Sequence, residues 1–144
     1  MTSETIAEVL GGKKVLGRAI KNSVDLSELI RKGLPAAAVV ALAGKLDLKN
    51  GAISERLGIP QRTLSRRLSR HARLTAAESD RTVRLARVYA TAVEMIGNTE
   101  KAVEWLRTQN RALGGELPLD MLDTDLGARE VEEILGRIAY GVYS

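Results

Sequence analysis

The sequence has no cysteine and no phenylalanine, and its 144 residues include one tryptophan and one histidine. Without cysteine, neither a disulfide framework nor a thiolate zinc site can form. No apolar run reaches the length of about 18 residues that predicts a membrane span, and the first residues lack the layout of a secretory signal. A single histidine, no glycine-rich phosphate loop and no evident pair of carboxylates argue against an enzyme. We therefore expect a non-enzymatic cytoplasmic protein without cofactor, metal or membrane contact.

Apolar residues make up 44% of the chain, which is enough for a packed core. Because aromatic side chains are scarce, this core must consist mainly of leucine, valine, isoleucine and alanine, and leucine and alanine favour helices. Apolar positions recur with helical spacing, for example at Leu85, Val88 and Ala92. Nothing in the pattern predicts a strand, so the sequence predicts an all-α fold.

The boundaries of the predicted helices follow from capping residues, prolines and glycines. Thr75 and Glu78 have the spacing of a capping box at the start of the longest helix. Asp25 or Ser27 is the expected N-cap of an earlier helix, and Thr99 is the expected N-cap of a later one. These signals divide the chain into short helices that tight turns connect.

The net charge of +4 is unevenly distributed along the chain. Residues 1–48 contain seven basic and five acidic side chains, a net charge of +2. Residues 49–90 contain ten basic and three acidic side chains, +7, whereas residues 91–144 contain five and ten, −5. A basic middle segment suits the phosphates of nucleic acid, while DNA would repel an acidic end. The sequence therefore predicts two surfaces with different partners.

The stretch IPQRTLSRRLSR, residues 59–70, contains four arginines and no acid. Together with the preceding ISERLG it has the pattern helix, glycine turn, helix. This is the layout of a helix-turn-helix, whose second helix enters the major groove of DNA. On a helix, Arg62, Arg66 and Arg70 lie within about 80° of one another, opposite the apolar side. Their guanidinium groups match guanine edges and phosphate oxygens in two-point geometry.

The predicted DNA-contacting side chains all lie on this second helix. Gln61, Arg62 and Arg66 are candidates for base edges, Thr63, Ser65 and Arg67 for phosphates, and Arg70 lies on the same stripe. Two alternatives stay open: the stripe is only a solvated helix face, or the register differs by one residue, because Arg67 stands where such motifs often have an apolar side chain. Helix-turn-helix proteins usually dimerise, and residues 36–42 or the long helix after Thr75 would supply the contact.

Two features of the acidic end have competing explanations. Asp120, Asp123 and Asp125 do not have the spacing of a calcium loop. Helix capping by Thr124 or Asp125 is the plainer account of this segment. The single tryptophan, Trp105, is expected to be a core anchor rather than an interface residue.

Several ordered motifs give the chain a resemblance to a known family. They are ESDR (residues 78–81), an A-x-x-WL pattern (Ala102, Trp105, Leu106), LGGELPLDMLDT (residues 113–124), the following Gly127, and a late YG (Tyr140, Gly141). In this order and spacing they resemble the shared domain of the Xre/MbcA/ParS-type antitoxins. The resemblance covers residues from about 35 to 144, including an Xre-like helix-turn-helix, and leaves residues 1–24 outside it.

The resemblance implies an antitoxin of a type II toxin–antitoxin pair. The implied partner is a RES-domain toxin, an enzyme that degrades NAD. The antitoxin's C-terminal domain would cover the active site of the toxin, and its helix-turn-helix would bind the promoter DNA of its own operon. Such antitoxins form homodimers and larger complexes with toxin. A free-standing helix-turn-helix transcription regulator is the alternative.

The expected domains follow from this resemblance. Residues 25–97 form an Xre-like domain for DNA binding and dimerisation, residues 98–144 form a small helical toxin-binding domain, and residues 1–24 have no assigned role. The expected toxin-contacting residues are Ile138, Tyr140, Gly141, Val142, Tyr143 and Ser144. Tyrosines suit such a contact because they are amphipathic and enriched at protein interfaces.

Overall fold

The computed structural model describes residues 2–139, where all regular structure is helical. The α-helices are α1 (Ser3–Val9), α2 (Gly12–Leu16), α3 (Ser23–Lys32), α4 (Ala37–Lys45), α5 (Asn50–Leu57), α6 (Gln61–Ser69), α7 (Ala76–Ile96), α8 (Thr99–Leu106) and α9 (Asp125–Ala139). Two 3-10 helices, Arg111–Leu113 and Pro118–Asp123, lie between α8 and α9. No strand occurs within residues 2–139, so the all-α prediction is confirmed.

The chain folds as two compact units, one of residues 2–86 and one that begins at Arg87. The N-terminal unit contains α1 to α6 and the first half of α7, and the C-terminal unit contains the rest. The division by compactness therefore falls inside α7, whereas the predicted domain boundary lies after this helix, at residue 97. The functional boundaries of the domains stay a prediction.

Residues 2–22 contain the first two helices of the N-terminal unit. The hydroxyl of Thr2 caps α1 by accepting a hydrogen bond from the N–H of Thr5 at 3.1 Å. The buried side chains of this segment include Ile6, Val9, Leu10, Leu16 and Ile20. Helix α1 contacts α3 and α4, and α2 contacts α4. This segment therefore contributes to the same hydrophobic core as the helices that follow it.

The connection between α3 and α4 pairs with the segment that follows α6. The N–H of Leu74 donates to the carbonyl of Leu34 at 2.8 Å, and the N–H of Ala36 donates to the carbonyl of Ala72 at 3.0 Å. These two backbone bonds join positions about 40 residues apart in the sequence. They fix the exit of α6 against the start of α4.

Helix α4 is largely buried, as its apolar sequence predicts. Ala38, Val39 and Leu42 are fully buried within the N-terminal unit, whereas Val40 is 39% exposed. Most of the apolar face proposed for dimerisation, residues 36–42, is thus already packed inside one chain. The homodimer stays a prediction.

Asparagine side chains cap two helices, in place of the predicted residues. Asn22 accepts a hydrogen bond from the N–H of Asp25 at 2.9 Å and caps α3, and Asn98 caps α8 in the same way. The predictions of Asp25 or Ser27 and of Thr99 as caps were therefore wrong. Each asparagine lies in extended backbone directly before its helix, the conformation that an N-cap requires.

The C-terminal unit is built around α9 and the 3-10 helix Pro118–Asp123, which pack against each other. Their shared core includes Leu119, Leu122, Val131 and Leu135, all buried. The hydroxyl of Thr124 accepts a hydrogen bond from the N–H of Gly127 at 3.0 Å, which confirms Thr124 as the predicted cap. A Cβ atom on Gly127 would lie 1.9 Å from the carbonyl oxygen of Met121. Only a glycine therefore allows this close approach.

Substitution of Gly127 by alanine should destabilise the C-terminal unit by about 1–3 kcal/mol, because the new methyl group must push the two helices apart. Gly136→Ala is the matched control, since Gly136 lies in the same helix and a Cβ there meets no atom within 4 Å. The control should be neutral or stabilising by up to about 1 kcal/mol. Denaturant unfolding of both variants would check this, and equal free energies of unfolding would contradict the packing argument.

Candidate functional sites

The helix-turn-helix consists of α5, a turn at residues 58–60, and α6. Inside the turn, the N–H of Ile59 donates to the carbonyl of Ser54 at 2.9 Å. Apolar side chains from both helices and from the turn are buried between them: Ile53, Leu57, Ile59 and Leu64. The predicted helix, glycine turn and helix are therefore present, with the predicted apolar side chains in the core.

Most of the predicted DNA-contacting residues lie on the open face of α6. Gln61, Arg62, Ser65, Arg66 and Arg70 are exposed, while Thr63 and Arg67 are partly buried. Within residues 2–139, no acidic side chain forms an ion pair with Arg62, Arg66 or Arg70. The three guanidinium groups thus form a positive stripe that is open to a polyanion.

Gln61 is the first residue of α6, and its side chain lies against the start of α5. A Cβ atom on Gly51 would come within 3.2 Å of the amide oxygen of Gln61 and 3.3 Å of its nitrogen. The absence of a side chain at Gly51 thus leaves room for the Gln61 amide at the junction of the two helices.

Arg67 points into the N-terminal unit instead of outward. Its guanidinium forms an ion pair with Glu78, and the two side chains are only 18% and 12% exposed. On α6, Arg67 lies about 140° from Arg62, which turns it away from the exposed stripe. The predicted phosphate contact by Arg67 therefore competes with an internal partner that the sequence pattern did not reveal.

Glu78 also lies in the first turn of α7 and caps its start. Its Oε1 accepts a hydrogen bond from the N–H of Thr75 at 2.8 Å, and the Thr75 hydroxyl accepts one from the N–H of Glu78 at 3.1 Å. The predicted capping box is thus confirmed. Burial acts to raise the pKa of Glu78, but the hydrogen bonds from Thr75 and Arg67 and the charge of Arg67 outweigh it, so this pKa lies below its ordinary value.

The next residues of the ESDR motif anchor two other parts of the N-terminal unit. The hydroxyl of buried Ser79 accepts a hydrogen bond from the N–H of Leu34 at 2.9 Å. The Nε of Arg81 donates to the carbonyl of Leu57, the last residue of α5, at 2.8 Å. Sequence reasoning assigned no role to either residue. Helical spacing could have revealed Ser79, because it places this polar residue on the same buried face of α7 as the apolar Val83 and Ala86.

In the C-terminal unit, Trp105 is only half buried and is not part of the closed core. It lines an open groove together with Ile138, a predicted toxin contact in the last turn of α9. Trp105 thus lies at the edge of the core, and its role as a core anchor rather than an interface residue stays a prediction. The other predicted toxin contacts, Tyr140, Gly141, Val142, Tyr143 and Ser144, lie outside the described residues.

Neither a metal cluster nor a membrane helix stands out in the described part of the chain. Residues 2–139 contain no group of three or more histidine, cysteine, aspartate or glutamate side chains placed to hold an ion. None of their helices combines the length and the hydropathy that crossing a bilayer requires.

Comparison with known proteins finds a matching family domain for each of the two units. Residues 25–87 match the antitoxin Xre-like helix-turn-helix domain, and residues 91–141 match the antitoxin Xre/MbcA/ParS C-terminal toxin-binding domain. An antitoxin Xre from Photorhabdus laumondii is 34% identical over 132 residues, which cover 91% of this chain and 89% of the relative. The chain belongs to the Xre antitoxin family.

One further protein is similar to this antitoxin in sequence, and one solved structure is similar to it in fold. A protein from Sphingobium, named a Prs ADP-ribosylating antitoxin, is 29% identical over 140 residues, which cover 91% of this chain and 87% of that protein. A chain of the crystal structure of the Mycobacterium tuberculosis MbcT–MbcA toxin–antitoxin complex has the same fold, with a TM-score of 0.58 and 22% identity. That match covers 76% of the antitoxin and 96% of the other chain.

Because the folded-state pKa of Glu78 is lowered, its charge contributes stability that is fully present above the unfolded-state pKa and is lost as the pH falls through the folded-state pKa. Glu78→Gln keeps a side-chain acceptor for the capping box but removes the charge. We expect a loss of about 1 kcal/mol in unfolding free energy at pH 7 and a smaller loss at pH 3.

Denaturant unfolding of both proteins at the two pH values measures this difference. Asp80→Asn is the matched control, because Asp80 is 61% exposed and pairs only with Arg84 one turn away. The control should change stability by less than about 0.5 kcal/mol at either pH. A loss in Glu78→Gln that is the same at pH 7 and pH 3 would contradict the role of the charge.

Proposed function

We propose that this antitoxin neutralises a RES-domain toxin that degrades NAD, and that it binds the promoter DNA of its own operon through α6. In this proposal the C-terminal unit covers the active site of the toxin. The observation that carries the proposal is the combination, in one chain, of a toxin-binding domain with a helix-turn-helix whose arginine stripe is open.

The DNA-binding part of the proposal is supported by the exposed face of α6. Arg62, Arg66 and Arg70 are exposed and lie within about 80° around the helix, so one groove of DNA can meet all three. We assign Gln61, Arg62 and Arg66, near the start of the helix, to base edges, and Arg70 to the phosphate backbone. Arg67 instead acts as a positioning residue, because its charge is held by Glu78.

The toxin-binding part is supported by charge and by relatives. Residues 91–144 carry a net charge of −5, which suits the basic site that an enzyme needs for an anionic dinucleotide. The Sphingobium relative is named for ADP-ribosylation, a reaction that consumes NAD. Both features favour a toxin that handles NAD. NAD and the promoter DNA are both found in the cytoplasm, so we place the antitoxin in the cytoplasm.

A homodimer completes the DNA-binding proposal. One helix-turn-helix reads only a few base pairs, and two such units related by a two-fold axis read two half-sites about 34–36 Å apart. Most of α4 is packed inside its own unit, so Val40, which is exposed, is the α4 side chain that we expect at such a contact.

Arg66→Ala should weaken binding to a promoter fragment of the operon by about 1–3 kcal/mol if Arg66 reads a base edge. If Arg66 only touches phosphate, the slope of log affinity against log salt should fall by about one. Arg129→Ala, which removes the same charge from a 75% exposed position on α9, is the matched control. The affinity for DNA is measured by titration at two salt concentrations. If Arg66→Ala binds as tightly as the wild type at both, the arginine stripe is only a solvated helix face and does not contact DNA.

Deletion of residues 140–144 should abolish inhibition of the toxin while promoter binding stays at the wild-type level, because the two activities lie in separate units. The assay is NAD hydrolysis by a RES-domain protein from the same genome, with increasing amounts of full-length or shortened antitoxin. Full inhibition by the shortened protein would show that the end of the chain does not cover the active site.

A further inference from the structure

An open groove of about 440 Å³ lies on the C-terminal unit, between the end of α7, helix α8 and the end of α9. Its lining residues are Ile96, Lys101, Glu104, Trp105, Thr108 and Ile138. The first and last of these come from the final turns of α7 and α9, and the other four come from α8 and the residues just after it. The groove thus lies wholly within one unit.

The groove has an apolar floor and a polar rim. Ile96, Trp105 and Ile138 are half buried, so part of each apolar surface faces solvent, while Lys101, Glu104 and Thr108 are exposed. An indole that is partly open to water, surrounded by charged side chains, has the composition of an energetically important contact in protein complexes. Trp105 is also the only tryptophan in the chain.

The position of the groove indicates which partner occupies it. Ile138 forms one wall and lies in the last turn of α9, so residue 139, the last one that the structure describes, lies beside the groove in sequence. The five residues after Ala139 span at most about 18 Å when fully extended. If they reach the active site of a toxin, the body of that toxin must lie within this distance of the groove.

We propose that the groove binds an apolar side chain of the toxin, as a second contact separate from the active site that residues 140–144 cover. The inference rests on the proposed function and names the surface that anchors the same partner. The groove contributes affinity, and the end of the chain blocks catalysis. The two contacts should therefore be separable by mutation.

Thr108→Phe tests the groove by filling it from the rim. Thr108 is exposed, and its hydroxyl donates only to the carbonyl of Glu104 one turn earlier, at 2.6 Å. Thr99→Phe is the matched control, because Thr99 is an exposed threonine at the other end of α8 and does not line the groove. Calorimetric titration with a RES-domain protein from the same genome should show an affinity at least about tenfold lower for Thr108→Phe.

The control should bind toxin with wild-type affinity, and both variants should bind promoter DNA normally. Equal toxin affinity for Thr108→Phe and wild type overturns the proposal. Loss of self-association in Thr108→Phe with unchanged toxin affinity assigns the groove to a second copy of the chain and also overturns it. If the wild-type protein binds no RES-domain protein, the proposed function itself fails, and this inference fails with it.

A second measurement is independent of any substitution. Protein labelled with 5-fluorotryptophan gives one ¹⁹F resonance, because Trp105 is the only tryptophan. Its shift between H₂O and D₂O reports contact of the indole with solvent. This solvent shift should decrease when unlabelled toxin is added. A bound complex in which the resonance and its solvent shift stay unchanged overturns the proposal.

Discussion

The carboxylate of Glu78 is the interaction on which the helix-turn-helix depends. It accepts a hydrogen bond from the N–H of Thr75, the residue before α7, and it forms an ion pair with Arg67 on α6. The same turn of α7 adds two more anchors, since Ser79 holds the start of the α3–α4 connection and Arg81 holds the end of α5. One turn of one helix therefore fixes four segments of the N-terminal unit. In physical terms, the ESDR motif, which is one of the marks of the family resemblance, supports the position of α6.

This support explains how one arginine-rich helix can serve two purposes. Arg67 turns inward and is neutralised by Glu78, whereas Arg62 and Arg66 face outward without an acidic partner among the described residues. The inward charge stabilises the unit, and the outward charges stay available for a polyanion. The C-terminal unit has the opposite charge balance. In the proposed function, a basic unit that binds DNA and an acidic unit that binds a protein partner can act in one chain without competing for the same ligand.

Local sequence signals predicted the parts of the structure that depend on neighbouring residues. The residues of the capping box at Thr75 are within three positions of one another, and those of the glycine turn before α6 are also neighbours in the sequence. The spacing of residue types therefore reveals both features. Features that depend on distant residues were not predictable in this way. Arg67 and its partner are 11 positions apart, and the groove beside Trp105 combines the ends of three helices. The caps at Asn22 and Asn98 were missed because several good capping residues stand side by side in both places, and only the backbone conformation decides among them.

The most direct test of the account is to isolate this protein from its native host and to identify what stays bound by mass spectrometry. The account predicts recovery of a RES-domain protein in a fixed ratio, and loss of that protein when the C-terminal unit is removed. A clean homodimer without any protein partner would contradict the antitoxin proposal. It would favour a free-standing transcription regulator, for which the acidic C-terminal unit would need another role.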